Sequence, residues 1–285
     1  MPESKMKLSI SNIAWDASFE KQVIALLLVN NIVHLDFAPG KFFSDIENVT
    51  DEEILKVKNE WNHKGFSLVG MQSLLFGTSG LNLFDISTQT RMLEHLKKVC
   101  HIGSLTGATR LVFGSPKNRD RSSLDDSQTE DIALNFFFRL GEIAKEENVT
   151  VCLEANPTLY GTNFLTTTEE AAKFVRKLNH SNIKLQLDLG TIYTNHEPAG
   201  IIEDVSDIIG HIHLSEPSMA PVTTDDPIHR ELGGSLKKTI TKSMLSTDIL
   251  TIEMLTSNAE HAEDRIRTIE SSIKLAKKLY MQDLI

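Results

Sequence analysis

The stretch Thr150-Val151-Cys152-Leu153-Glu154-Ala155-Asn156-Pro157 is an apolar strand that ends on a carboxylate. Three later strand-like runs carry a ligand-type residue at the same relative position: Asp188 in 184–190, His213 in 209–217 and Glu253 in 250–255. Side chains alternate across a strand, so residues two apart share a face. One parity of these runs holds Val151, Leu153, Leu185, Leu187, Ile212, Leu214, Leu250 and Ile252, which suits packing against helices. The other holds Cys152 and Glu154, Gln186 and Asp188, His211 and His213, Thr251 and Glu253. Uncompensated, that set of buried ionisable groups would be strongly unfavourable. One divalent cation held by Glu154, Asp188, His213 and Glu253 compensates it directly. Three carboxylates and an imidazole form a hard, oxygen-rich set suited to Mn²⁺, Mg²⁺ or Co²⁺, with Zn²⁺ also admissible.

Outward from this stretch, strand-like and helix-like runs alternate along the whole chain. The strands are predicted at residues 8–14, 32–38, 66–75, 109–114, 150–155, 183–189, 209–214 and 249–254. Between them, Thr50 with Glu53, Ser127 with Glu130, and Thr167 with Glu170 have the spacing of helix-opening capping boxes. Ile54, Val57 and Trp61 share one helical face, as do Leu93, Leu96 and Val99, and Ile266, Ile269 and Ile273. Parallel strands joined by right-handed helical crossovers, eight in number, close into a (β/α)₈ TIM barrel. An open doubly wound sheet would carry a glycine-rich loop after its first strand, and Ile13-Ala14-Trp15-Asp16 is not one. No linker divides the chain, so a single barrel domain over residues 1–285 is expected. Residues 215–232, punctuated by Pro217, Pro221 and Pro227, read as a long loop at the face where barrels keep their chemistry.

Composition narrows the function classes. Among 285 residues, 40% are hydrophobic and 24% charged, with a formal net charge of −10, which argues against binding a nucleic-acid backbone or an anionic membrane. Cys100 and Cys152 sit among apolar neighbours and read as core thiols in a reducing compartment. The start Met1-Pro-Glu-Ser-Lys-Met-Lys-Leu8 has no apolar h-region, and the longest apolar run, residues 23–29, is too short to span a bilayer. A cytoplasmic location is expected.

The same residues carry a family resemblance. Val151-Cys-Leu-Glu-Ala-Asn-Pro157, Asn163-Phe-Leu-Thr-Thr-Thr-Glu-Glu-Ala171, Leu187-Asp188, Gly210-His-Ile-His-Leu-Ser-Glu216 and Ile252-Glu253 resemble, in order and spacing, the xylose-isomerase-like barrels. This superfamily of sugar isomerases and epimerases includes D-tagatose 3-epimerase. Upstream, Phe37-Ala-Pro39 and Leu111-Val-Phe-Gly-Ser-Pro-Lys-Asn-Arg119 look like its sugar phosphate isomerase/epimerase branch. The resemblance implies one divalent metal at Glu154, Asp188, His213 and Glu253, with the two glutamates also moving the proton. It further implies substrate contacts at Arg230 and His229, and the notable site positions extend to Asn156, His211, Tyr160 and Gln72. Two departures concern the substrate. Thr191 stands where the epimerases commonly have a histidine, and Tyr160 where they offer an acidic contact.

The implied chemistry is proton transfer beside a carbonyl through an enediolate, with a small-molecule carbohydrate as substrate. Inversion of a centre or transfer to the neighbouring carbon are equally open. Lys117, Arg119 and Arg121 after the fourth strand read either as a phosphate-holding group or as solvated loop charges. A metal-dependent dehydratase resembling inosose dehydratase is the nearest rival, followed by a sugar-binding barrel without turnover. An apurinic endonuclease-like phosphodiesterase would need extra histidines on the third and fourth strands, and Gly70-Met-Gln-Ser-Leu-Leu75 and Leu111-Val-Phe-Gly-Ser115 have none. Members of the superfamily are often dimers or tetramers, although no stretch of this chain marks an interface.

Overall fold

Strand β1 (Lys7–Ser11) pairs in parallel with β2 (His34–Phe37), and pairing then continues through β3 (Ser67–Met71), β4 (Arg110–Phe113), β5 (Thr150–Glu154), β6 (Ile183–Asp188), β7 (Ile209–Leu214) and β8 (Ile249–Ile252). Strand β8 returns to β1, so the sheet is a closed barrel in sequential order. The structure is a computed structural model describing residues 6–122, 124–242, 244–256 and 262–281. The amino-terminal residues Met1 to Lys5, part of the stretch read above for its lack of an h-region, lie outside the described residues. All eight predicted strands are present, each shorter than or equal to its predicted span.

Helices cover the outside: α1 (Glu20–Val29), α2 (Asp51–His63), α3 (Ile86–Thr106), α4 (Asp126–Glu146), α5 (Thr168–Leu178), α6 (Leu189–Asn195), α7 (Ile201–Asp204), α8 (Pro227–Thr241) and α9 (Ala262–Ala276). No helix among the described residues is long and apolar enough to cross a membrane. The apolar strand parity is buried beneath this layer, with Leu153, Leu185, Leu187, Ile212, Leu214, Leu250 and Ile252 all at 0% exposure. Ile54 and Trp61, Leu93, Leu96 and Val99, and Ile269 and Ile273 turn the predicted helix faces into the same core. Both cysteines are free and buried, and burial pushes each thiol up to about 12.

Helix starts follow the predictions unevenly. At α2 the capping box forms, with Glu53 N donating to Thr50 Oγ1 at 3.3 Å and Thr50 N donating to Glu53 Oε2 at 2.8 Å. At α5, Glu170 N donates to Thr167 Oγ1, but the Glu170 carboxylate accepts from Thr166 N instead, at 2.7 Å. At α4 the box is Asp125 with Gln128, two residues upstream of Ser127 and Glu130. An aspartate is as good a cap as serine, and the earlier one captures the helix. The predicted 215–232 loop is also shortened. Pro227 opens α8, where its missing N–H costs nothing, and Asp226 accepts from Ile228 N and His229 N. The irregular stretch is thus 215–226, with one short turn at Pro217–Met219.

Candidate metal centre

The polar parity of β5 to β8 converges at the carboxyl-terminal mouth of the barrel. Asp188 is paired with His213, whereas Glu154 is paired with Gln186, two residues before Asp188, and His213 with Thr251, two residues before Glu253, so the four side chains share the inward parity with a stagger around the ring. Glu154, Asp188, His213 and Glu253 each offer one ligand atom within 4.8 Å of all the others. Three carboxylates so close repel one another. Burial and the charges of Asp188 and Glu253 raise Glu154 to about 8, and burial and Glu253 raise Asp188 to about 6. Burial alone would lower the His213 imidazole, but Glu253 and Asp36 more than offset it and hold it well above the usual value. Such a donor set, kept partly protonated by mutual repulsion, fits a divalent cation that would take the place of those protons.

Each of the four is held by a neighbour. Asn156 Nδ2 donates to Glu154 Oε2 at 2.8 Å. Ser215 Oγ donates to Asp188 Oδ2 at 2.7 Å, and Thr191 N to Asp188 Oδ1 at 2.6 Å, so this aspartate also caps α6. Gln72 Nε2 donates to Glu253 Oε1 at 2.5 Å. His213 turns Nε2 to Asp36 Oδ2 at 3.3 Å and leaves Nδ1 facing Glu253 Oε2, also at 3.3 Å. That Nδ1 is buried without a hydrogen-bond partner, which is the condition of a ring nitrogen presented to an ion.

Asp36, on β2, is the residue that the sequence reading missed. It is fully buried, and besides His213 it binds His211 Nε2 at 2.6 Å. Burial alone would raise its carboxyl, but the two imidazoles hold it well below the usual carboxylate range. Asp36, His211 and His213 also satisfy the spacing of a second ion site. However, tetrahedral ligands about 2.0–2.1 Å from a metal stand about 3.3 Å apart, and the Asp36–His211 contact is a direct hydrogen bond. This cluster therefore positions His213 from below. The signal for Asp36 was its inward parity, two residues from His34 and between Leu35 and Phe37.

Above the centre opens a cavity of about 1150 Å³, lined by Gln72, Glu154, Asn156, Asp188, Thr191, Glu253 and, towards the rim, Tyr160 and Met219. His211 lies below it, buried beside His213. Two expected substrate contacts are placed elsewhere. Arg230 is on α8 with its side chain 60% exposed, paired through Nε with Asp225 Oδ1 at 2.6 Å, and it does not line the cavity. His229 is fully buried, with Nδ1 2.6 Å from Tyr280 Oη and Nε2 2.9 Å from Glu216 Oε1. It braces Glu216, which does line the cavity. The early start of α8 moves both residues out of the loop where the sequence reading had them.

The three basic residues after β4 also part company. Lys117 lines the cavity, Arg121 pairs with the exposed Asp126, and Arg119 is buried with Nη1 donating to the Glu154 carbonyl at 2.7 Å. Burial lowers the Arg119 guanidinium to about 10, opposed by Glu154.

Comparison with known proteins gives one family and one fold. No curated protein sequence matches the chain. A D-psicose 3-epimerase from Clostridium cellulolyticum H10, solved with D-tagatose, superposes with a TM-score of 0.77 at 17% identity, covering 96% of this chain and 99% of that one. A D-psicose 3-epimerase solved in the presence of D-fructose gives 0.76 at 15% identity, with the same coverage of 96% and 99%. A 3-keto-D-glucoside 4-epimerase from E. coli, in its apo form, gives 0.71 at 12% identity over 95% of this chain and 100% of that one. At such identities the likeness speaks for the fold. The family profile of the xylose isomerase-like TIM barrel matches residues 32–234, well over half of the sequence, and the chain belongs to that family.

Proposed function

We propose that this chain, as one barrel domain over residues 1–285, is a divalent-metal-dependent isomerase or epimerase of a carbohydrate. The observation that carries the reading is the convergence of Glu154, Asp188, His213 and Glu253, the three carboxylates lining a large cavity and His213 buried beside them, each with a supporting hydrogen bond or ion-pair contact. Similarity to solved sugar epimerases supports a sugar as the substrate. A bound Mn²⁺, Mg²⁺, Co²⁺ or Zn²⁺ would supply Lewis-acid stabilisation of an oxyanion next to the reacting carbon.

The protein's own groups handle the proton. One of Glu154 and Glu253 takes it from the carbon beside the carbonyl, and the C–H electrons form the enediolate double bond. The other, presented from a different sector of the ring, returns a proton. Return on the opposite face inverts the centre, and return to the adjacent carbon, with the hydroxyl proton passing between the two oxygens, exchanges aldose and ketose. Gln72 and Asn156 keep the two carboxylates oriented, each through one carboxylate oxygen, while the second oxygen of Glu253 faces His213 Nδ1 at 3.3 Å.

The test is hydrogen exchange at carbon. The Mn²⁺-loaded protein is incubated in deuterated water with a panel of ketoses, aldoses and their phosphates. Deuterium is expected at the carbon beside the carbonyl of at least one sugar, and its loss is expected in Glu154→Gln and in Glu253→Gln with the barrel still folded. Absence of exchange across the panel, or turnover retained in either variant, would sink the reading. A product lighter by one water would replace it with a lyase.

A further inference from the structure

The cavity is larger and more apolar at its mouth than a free monosaccharide needs. Pockets for drug-sized ligands measure about 300–1000 Å³, and the cavity here measures about 1150 Å³. A second hollow of about 510 Å³ adjoins it and shares Phe76, Gly77, Thr78 and Leu81 as a common wall. The floor is polar, and the rim adds apolar side chains. Phe76 is 79% exposed, and Tyr160 and Met219 are each 38% exposed. Phe76 follows β3, whereas Met219 follows β7, four strands away in a ring of eight, so apolar surface stands on both sides of the opening.

Two details show that these side chains are set and not merely left over. Ser218 N donates to Tyr160 Oη at 2.8 Å, which ties the loop after β5 to the loop after β7 and leaves the tyrosine ring as the part available to a ligand. Leu255 N donates to the Met219 carbonyl at 2.8 Å, anchoring the same turn from the β8 side. At 79% exposure Phe76 contributes little burial to the fold, and a ring of this kind at a cavity mouth gains its contact area only when something covers it.

Charge completes the argument. Outside the four converging residues, the charged side chains lining the cavity among the described residues are Lys117, Asp85 and Glu216. One cation against two carboxylates does not favour a phosphorylated substrate, and Arg119 and Arg121 are turned away. Resting on the isomerase reading above, we infer that the substrate is an uncharged sugar that keeps a free carbonyl and bears an apolar, planar substituent away from it, such as an aryl glycoside with a ketone at a ring carbon; plain aryl glycosides, which have no carbonyl, bind there without reacting. The sugar lies on the floor and the substituent is held between Phe76, Tyr160 and Met219.

The experiment measures binding, separately from turnover. Full-length, Mn²⁺-loaded protein is titrated calorimetrically with methyl and phenyl glycosides of glucose, galactose and xylose, and with fructose and fructose 6-phosphate. For at least one sugar the phenyl glycoside is expected to bind about tenfold tighter than the methyl, the upper range of a single aromatic contact. Phe76→Ala and Tyr160→Ala should each bring the phenyl-to-methyl ratio towards one, whereas Tyr160→Phe, which keeps the ring, should preserve it. A ratio near one for every sugar, a ratio unmoved by Phe76→Ala, or strongest binding by the phosphate would overturn the inference. Carbon exchange without a phenyl preference loses this inference and keeps the isomerase reading. A phenyl preference without exchange in any sugar keeps the apolar subsite and sinks the isomerase reading.

Discussion

Asp36 Oδ2 lies 3.3 Å from His213 Nε2, on the side of the imidazole away from Glu253. A carboxylate behind a ligand histidine fixes its ring orientation and tautomer and raises its basicity as a donor. The same oxygen also receives His211 at 2.6 Å, so one anion organises two imidazoles in the barrel interior. Asp36→Asn keeps the size and removes the charge. Mn²⁺ affinity is expected to fall by about 10–100-fold, the usual cost of losing such a partner, with the far-ultraviolet dichroism unchanged. Competition against a fluorescent chelator measures it.

The raised Glu154 carboxyl links stability to pH. A group whose pKa rises on folding, here from 4.5 to about 8, binds more protons in the native state. Its stabilisation is complete below about 4.5 and is lost as pH rises through 8. Asp188, raised to about 6, acts in the same direction over a lower window. The metal-free protein should therefore melt at a lower temperature at pH 8 than at pH 6. Added Mn²⁺, binding in place of those protons, should raise the melting temperature more at pH 8. Thermal melts in chelator and in Mn²⁺ at both pH values check the sign.

Gly114 follows β4, beside Glu154. A Cβ at this position would stand 2.3 Å from Glu154 Oε2, closer than any real contact. The obstacle is the tip of a side chain, so Gly114→Ala should fold, but with the carboxylate displaced. Metal affinity is expected to drop by at least about tenfold, since a shift of this size breaks a ligand's geometry. Gly70 has the same relation to Asp36, with a would-be Cβ 2.6 Å from its carboxylate, and Gly70→Ala should mimic Asp36→Asn.

His229 and Arg230 are adjacent in sequence and opposite in consequence. His229→Ala leaves the buried Tyr280 hydroxyl and Glu216 without their partner, and is expected to cost about 2–3 kcal/mol in urea unfolding. Arg230→Ala removes an exposed ion pair with Asp225 and should leave both melting temperature and carbon exchange unchanged.

Much of this was legible in the sequence because barrels repeat one unit with a fixed parity. The four converging residues each end a strand of clear alternation, so Glu154, Asp188, His213 and Glu253 could be read as one set. Asp36 could not be read with them. It sits before Phe37 in a short strand, and its pairing with β3 carries a register irregularity between Leu35 and Asp36, so depth was not evident from position. Arg230 stands away from the cavity for another reason. Whether a residue after β7 belongs to loop or helix is decided by where Pro227 and Asp226 start α8, and the three prolines offered three starting points. The rim residues Phe76, Tyr160 and Met219 belong to separate loops with no periodicity to join them.

The contacts beneath and beside the centre also bear on how the chain reaches its native form. Asp36 meets His211 and His213 across sequence separations of 175 and 177, and Gln72 meets Glu253 across 181. The four converging residues all come from the second half of the chain, but the orientation of two of them, His213 and Glu253, depends on Asp36 and Gln72 from its first half. Contacts of such length form late, because the closure entropy of the intervening chain has to be met first. Tight metal uptake during refolding would therefore time the moment the barrel becomes a ring, and a half-barrel holding β5 to β8 alone would hold the ion loosely.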